Sequence, residues 1–517
     1  MADQNMDGEF IPPFRKIYFS NDMVNKYEPL ATAMKKVTES EGKDDDVWEQ
    51  YQEHLSKFNN FEWCSTWDGN RYDIVFYGVS GYTGYLMMEY LKRVSLKKNP
   101  ESFTFAFAGR TRSKVQDMRD REFAGTRHED TPILQMSYDD VFSIIDLVKS
   151  ARVVVNVAGP YMLAQGELLI DACICMGVHY VDVSGEIPWT LRIKDLHRYA
   201  VKERVHVVPS AAAAGGYPDL GVYLCAKKAR EAHNEELRQA VCYVSTGGPS
   251  ASSGGTIKSR AAMTNLSDAE VAKMNDPFSL GGFIPERDRW GLKTCNIEFG
   301  TGKVTTRMRP EDMDANFARV TEDKRLRLWR GPFIYSKFDT RIVRRSNMLL
   351  ADLGNRPYGR HLNFMEYTML PADGMAALRS KGGADAAGAG AAQGAEAEKA
   401  ALEAQGKDQK EAEGPEGPKL EELEQTWLGY FLWAETEGDR EVRCSFVGRD
   451  AYFETARLCI ETAMCLRFDR EKLPFAGGVL TPTVACGEAL VRRAQAGGLK
   501  VSIGDWLPAA EHSPPPY

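Results

Sequence analysis

The run Tyr72-Asp73-Ile74-Val75-Phe76-Tyr77-Gly78-Val79-Ser80-Gly81-Tyr82-Thr83-Gly84 constrains the fold of this chain more than any other stretch. Ile74 to Tyr77 are apolar or aromatic without alternation, the pattern of a strand buried on both faces. Gly78, Gly81 and Gly84 follow at even spacing. Beyond them Leu86, Met87, Tyr90, Leu91 and Val94 form one apolar stripe at helical period. A strand, a glycine turn and a helix start, in that order, are the setting in which a glycine triplet holds a dinucleotide. The turn lets the backbone approach a pyrophosphate, whose charge then lies at the helix N-terminus.

The alternation continues. Phe103 to Ala108 reads as a second strand and ends at Gly109-Arg110-Thr111-Arg112. In a dinucleotide fold, an acid at this point selects the ribose 2′-hydroxyl of NAD, and an arginine accommodates a 2′-phosphate. Arg110 and Arg112 stand here with no acid, which predicts NADP(H) as cofactor. Ile133 to Met136 is a third strand. Ser137 is expected to cap the next helix, with Asp140 at the capping-box position. Val153 to Val157 is a fourth strand, leading into Ala158-Gly159-Pro160-Tyr161. A helix from Gly166 to Met176 stops at Gly177. Val178 to Val183 is a fifth strand, with Asp182, Gly185 and Glu186 at its carboxyl end. A helix over Leu191 to Glu203 and a sixth strand over Val205 to Val208 complete the unit. The fold class is therefore α/β: a Rossmann-type doubly wound parallel sheet, with its ligand crevice outside the carboxyl ends of the strands. The cofactor candidates along that crevice are Gly78, Ser80, Gly81, Tyr82, Thr83, Gly84, Arg110, Arg112, Ala158, Gly159 and Pro160. Tyr161, Tyr180, Asp182 and Glu186 should border the reacting ring and are the catalytic candidates. Each could instead serve as a hydrogen-bonding group at a strand end.

From Ser210 the character changes. Small residues from Ala211 to Gly216 connect to a helix running through Ala229. Alternation around Val241 to Ser245 and later strand-like segments then indicate a second, α+β mixed-sheet domain. Residues 374–418 are rich in Ala, Gly, Glu and Lys and are expected to be a disordered insertion, too poor in apolar surface to offset ordering entropy. The predicted organisation is an N-terminal extension (1–71), the dinucleotide-binding domain (72–210), and the second domain in two parts (211–373 and 419–476) around that insertion. A C-terminal helix then returns to the first domain, followed by a tail (477–517). The extension reads as a partly ordered segment that packs on the body, with an amphipathic helix near Val47 to Phe58 as the alternative.

Composition excludes several classes. A net charge of -8 argues against a nucleic-acid partner. The ten cysteines follow no metal-ligand spacing, so no metal is expected and they read as reduced residues of an intracellular protein. The N-terminus shows no basic and apolar signal pattern. The longest apolar candidate, Trp427 to Ala434, falls short of a transmembrane span.

Together, several separated stretches resemble the saccharopine dehydrogenase-like oxidoreductase family, which includes the trans-acting enoyl reductases. They are Gly78 to Gly84, Ala108-Gly109-Arg110, Val155 to Tyr161, His179 to Glu186, Asp219-Leu220-Gly221, Arg344-Arg345-Ser346-Asn347, Tyr452 to Ala456 and Gly477 to Pro482, in that order. The resemblance implies a Rossmann domain, a mixed-sheet domain, NADP use, and reduction of a C=C or C=O bond in lipid or glycolipid metabolism. It also implies a lipid-like or polyketide-like substrate and a cytoplasmic setting associated with lipid droplets or mitochondria, and it leaves room for a homodimer. The chain departs from the family where 211–216 replace a Gly-Phe-Asp-Ser-like stretch, and roles belonging to that acid and serine are not carried over.

Two other functions compete. Tyr223 and Lys227 fit Tyr-x-x-x-Lys, the proton-donating pair of short-chain reductases, where the lysine lowers the tyrosine pKa. The third reading is a nucleotide-binding scaffold at a lipid surface, without turnover.

Overall fold

The computed structural model describes residues 49, 71–98, 103–163, 166–248, 253–263, 265–282, 292–299, 302–370 and 417–512, the side chains of 295–299, 302–307 and 510 excepted. Apart from Glu49, the helix expected near 47–58 lies outside them, as does all but the end of the 374–418 insertion.

The buried run at the start forms strand β1 (Tyr72–Tyr77), and α1 (Tyr82–Tyr90) follows the glycine turn, extended by a π-helical turn over Leu91–Ser95. β2 (Phe105–Gly109), α2 (Arg112–Phe123), β3 (Ile133–Gln135), α3 (Val141–Lys149), β4 (Ala151–Asn156), α4 (Glu167–Met176) and β5 (His179–Asp182) continue the alternation. Next come α5 (Ile187–Ile193), α6 (His197–Lys202) and β6 (His206–Val208). A two-residue strand from far down the chain, β15 (Gly478–Val479), pairs beside β6 and gives the parallel order β15-β6-β5-β4-β1-β2-β3. The chain thus builds outward from β1 in both directions, and the topological switch lies between β1 and β4, where a doubly wound sheet binds its ligand.

Two local expectations are corrected. Asp140, not Ser137, caps α3: its side chain accepts from Phe142 N–H at 3.1 Å. The Ser137 N–H is instead drawn to the Ser143 hydroxyl at 3.1 Å. The helix expected over 191–203 is broken into α5 and α6 by a 3₁₀ turn over Lys194–Leu196, and it begins earlier because Pro188 occupies its first turn.

The second sheet has the order β10-β11-β12-β7-β13-β14-β16. Its strands are β7 (Leu237–Gly247), β10 (Thr321–Asp323), β11 (Leu328–Gly331), β12 (Asn363–Leu370), β13 (Trp427–Thr436), β14 (Glu441–Gly448) and β16 (Lys500–Ile503), while β8 (Lys293–Phe299) and β9 (Gly302–Met308) pair with each other in a separate two-stranded sheet. Only β12 and β7 pair in parallel. Period-two alternation puts Ala240, Cys242 and Val244 of β7 on one face, and Val241 and Tyr243 on the other. The first face belongs to a continuous core that crosses to Ile74, Phe76, Val153 and Val155 of the first sheet. Helices α7 (Ala213–His233), α12 (Ala451–Phe468) and α13 (Pro482–Ala496) fill the space between the sheets. The two sheets therefore share one interior, and the connector between β6 and α7 leads from one to the other.

Candidate functional site

Two of the three glycines, Gly78 and Gly84, are required by close packing. Gly78 adopts φ +91°, and a Cβ there would stand 2.6 Å from the Ala158 backbone nitrogen. A Cβ on Gly84 would stand 2.5 Å from Val79 Cα. β1 and β4 therefore approach at the switch point as only glycine permits. Ser80, Gly81 and Gly159 are exposed along this edge, and Thr83, Ala158 and Pro160 are half-buried. No side chain caps the start of α1, whose first-turn N–H groups lack intrahelical partners. This is a cradle a pyrophosphate fits. Tyr82 turns away from it: its hydroxyl donates to Pro418 O at 2.7 Å and its ring meets Tyr452 edge-on. Arg110 is exposed beyond β2 and makes no ion pair among the described residues, whereas Arg112 donates to Ile133 O at 2.7 Å.

The four catalytic candidates are gathered at the ends of β4 and β5, and all are buried. Asp182 Oδ1 accepts from Ser184 N–H at 2.9 Å, the Ser184 hydroxyl at 2.7 Å and Ser210 N–H at 3.0 Å. Its Oδ2 accepts from Trp189 Nε1 at 2.9 Å and the Tyr180 hydroxyl at 3.1 Å. Glu186 Oε1 accepts from Tyr161 N–H at 3.1 Å and the Ser259 hydroxyl at 2.9 Å, and Oε2 accepts from Met162 N–H at 2.7 Å. The Tyr161 hydroxyl donates to Asn156 O at 2.9 Å. Burial raises both carboxyls above the ordinary range, against the pull of these donors. Burial, reinforced by the Asp182 charge, pushes both tyrosines well above their ordinary value. Ser259 belongs to α8 (Gly254–Met263), so Glu186 fastens this helix of the second domain over the Tyr161–Leu163 turn.

The connector between the domains is pinned at both ends by acids. Asp182 holds Ser210 and, through its carbonyl, Ala211 N–H at 2.7 Å. Asp339, in α10 (Ser336–Gly354), accepts from Gly215 N–H at 2.6 Å. The other Asp339 oxygen and both oxygens of Glu366 on β12 are buried without a nitrogen or hydroxyl donor, the weakly donating Cys242 thiol lies beside Glu366, and the two carboxyls face each other. Two buried carboxylates in contact cannot both ionise, so the pair keeps a proton. Burial raises Asp339 to about 7, and burial with the Asp339 charge raises Glu366 further. Sequence reasoning missed both. The available signal was an acid on an inward face: Asp339 beside Phe338 and Ile342, and Glu366 in register with Phe364.

This pair has a pH consequence. The unfolded carboxyls lose their protons near pH 4, and the native pair retains one well above that. The stabilisation is fully present below pH 4 and is lost as pH rises toward and through 7, by about 1.4 kcal/mol per pH unit per extra proton. The difference in unfolding free energy between pH 5 and pH 8 should therefore shrink in Glu366→Gln. Parallel urea-denaturation profiles for variant and wild type would contradict the shared proton.

The short-chain pair does not assemble as expected. Lys227 Nζ is bound to Glu488 at 2.6 Å and Glu231 at 3.4 Å. Burial, then the Glu488 charge, raises the Tyr223 pKa, the reverse of what a proton-donating Tyr-Lys pair needs. Among the described residues, no group of three or more His, Cys, Asp or Glu is placed to hold a metal, and no helix is long and apolar enough to cross a membrane.

Comparisons with known proteins agree with this architecture. The family model for the saccharopine dehydrogenase NADP binding domain matches residues 74–238. A putative trans-acting enoyl reductase from Mycobacterium tuberculosis is 30% identical over 443 residues, covering 83% of this chain and 97% of that protein. The chain belongs to the saccharopine dehydrogenase-like oxidoreductase family. A trans-acting enoyl reductase from Mycobacterium leprae is 26% identical over 439 residues, 84% of this chain and 98% of its own. Among solved structures, apo saccharopine dehydrogenase (L-Glu forming) from Saccharomyces cerevisiae covers 84% of this chain and 99% of that chain, at 13% identity and a TM-score of 0.43. This member of the family is an NADP-dependent oxidoreductase.

Proposed function

We propose that the enzyme reduces a C=C bond conjugated to a carbonyl in a lipid or polyketide-like substrate, with C=O reduction as the neighbouring possibility. The observation that carries this reading is the near full-length match to proteins named trans-acting enoyl reductase. Two exposed apolar side chains support it. Leu163, in the turn after β4, is 67% exposed, and Ile334, just before α10, is 62% exposed. α8 lies between their neighbourhoods, through the Ser259–Glu186 bond on one side and Arg260 over the Tyr335 ring at 5.8 Å on the other. Apolar side chains held open to solvent suit an acyl chain better than an amino acid.

NADPH supplies a hydride when bound. The residues 78–84 would hold its pyrophosphate, Arg110 its 2′-phosphate, and 158–160 would border the nicotinamide. Tyr161, Tyr180, Asp182 and Glu186 act in this reading as positioning groups. Each is committed to bonds that fix the 156–163 turn, α8 and the connector, so in this reading solvent water gives the proton to the neighbouring carbon and the hydroxide left is neutralised by bulk solvent.

Arg110 is exposed, so its loss should leave the fold intact. Arg110→Ala is expected to weaken NADPH by about tenfold or more, the cost of one charge-assisted phosphate bond, and to leave NADH unchanged. Equal loss for both cofactors, or none, in fluorescence titration would remove Arg110 from the site. The reaction itself is tested by NADPH oxidation with medium-chain α,β-enoyl and β-ketoacyl thioesters. The reading expects the enoyl substrate to be consumed fastest. Turnover restricted to 2-oxo acids with amino acids would overturn it.

A further inference from the structure

Tyr223 and Lys227, unused by the cleft, line a cavity of about 390 Å³ between the C-terminal half of α7, the end of α10 and the middle of α13. That volume is in the range of small-molecule sites. It is separate from the cofactor crevice. Its wall residue Phe475 offers its carbonyl to Nε2 of His206, the first residue of β6, at 2.9 Å. The cavity therefore lies toward the amino end of a parallel sheet whose carboxyl end carries Gly78 and Ala158.

Its charges are unevenly matched. Lys227 is satisfied by Glu488 and Glu231. Arg230 and Arg356, also in the lining, make no side-chain hydrogen bond or ion pair among the described residues, and Nη2 of Arg230 is buried without a partner. Glu236, whose charge favours the Arg230 cation, is taken by Arg360. Burial, with Arg356 adding repulsion, lowers the Arg230 pKa. A buried guanidinium N–H without an acceptor is costly in any fold, and two forked donors facing one space match a carboxylate or phosphate. Leu350, Pro474 and Phe475 supply an apolar wall. Gly487 keeps the space open: it sits at φ +50°, and a Cβ there would stand 3.3 Å from the Tyr223 hydroxyl.

We propose that this cavity binds an organic anion, a carboxylate or phosphate head on an apolar body, with the head on Arg230 and Arg356 and the body against Leu350 and Phe475. The test is calorimetric titration of the full chain, saturated with NADPH, using decanoate, decyl phosphate, decanol and inorganic phosphate. One decanoate or decyl phosphate per chain should bind, with decanol and inorganic phosphate at least about tenfold weaker. Arg356 is exposed, so Arg356→Gln should fold normally and weaken the amphiphilic anions by about tenfold, the equivalent of one charge-assisted bond. Arg230→Gln should do the same with NADPH affinity unchanged. Undiminished binding by Arg356→Gln, decanol binding as tightly as decanoate, or inorganic phosphate binding as tightly as decyl phosphate would each overturn the proposal.

Discussion

Gly81→Asp is expected to abolish NADPH binding while leaving the protein folded. Gly81 is exposed and precedes α1 with φ −83°, a conformation any residue adopts. A Cβ there would meet only the Gly78 carbonyl, at 3.5 Å. Aspartate is moreover a favourable residue at a helix start, so the helix itself should not suffer. The new carboxylate would face the pyrophosphate, and like charges so placed cost several kcal/mol. Affinity should fall by about a hundredfold or more. Gly78→Ala makes the contrasting control. It puts a Cβ at φ +91° against the Ala158 backbone and should lower the melting temperature as well as the affinity. NADPH titration and thermal melts of both variants separate the effects. A Gly81→Asp enzyme that binds NADPH within about threefold of wild type would place the pyrophosphate elsewhere.

The largest stability loss is expected from Arg457→Met. Glu454 and Arg457 lie on α12, 1% and 3% exposed. Glu454 accepts from Arg457 at 2.9 and 3.0 Å, from the Tyr217 hydroxyl at 2.5 Å and from Arg449 N–H at 2.8 Å. Arg457 also reaches Gly497 O and covers the Tyr90 ring at 5.5 Å. The pair thus joins α12 to α1, α7 and the end of α13, the helices between the sheets. Methionine keeps the bulk and leaves a buried carboxylate without its cation, which costs about 3–5 kcal/mol. Glu454→Gln combined with Arg457→Met should recover part of that loss, because no charge is then stranded. Urea denaturation yielding a single-variant loss below about 1 kcal/mol would show that the pair is not the bond its burial implies.

Much of the first domain was legible because its strands are buried on both faces and its turns are written in glycine. β1 needs Ile74 to Tyr77 unbroken, and Gly78 and Gly84 are explained by sterics that the motif already implies. β15 was not legible. Two residues carry no period, and Gly478–Val479 becomes a strand only because β6 offers it an edge. The break between α5 and α6 was equally hidden, since no proline or glycine marks Lys194–Leu196. Ser137 and Asp140 are both good caps, and the choice fell to a local bond, Ser137 N–H to the hydroxyl of Ser143 in the helix's first turn. In the candidate site, the crevice could be read from strand ends, because a parallel sheet puts all of them on one edge. Two of the bonds could not, those of Asp182 to Ser210 and of Glu186 to Ser259, since the first partner lies at the domain junction and the second beyond it. Asp339 and Glu366 were invisible as a pair, because each is an isolated acid until β12 and α10 meet.

The central claim is that hydride passes from NADPH to carbon in an acyl substrate at the carboxyl edge of β4 and β5. Stereospecifically deuterated NADPH, incubated with the enzyme and cell lipid extract, tests it most directly. The account predicts deuterium in the lipid fraction, on one carbon of a former double bond, with the neighbouring hydrogen drawn from water. Deuterium confined to water-soluble amino acids, or absent from every product, would contradict it.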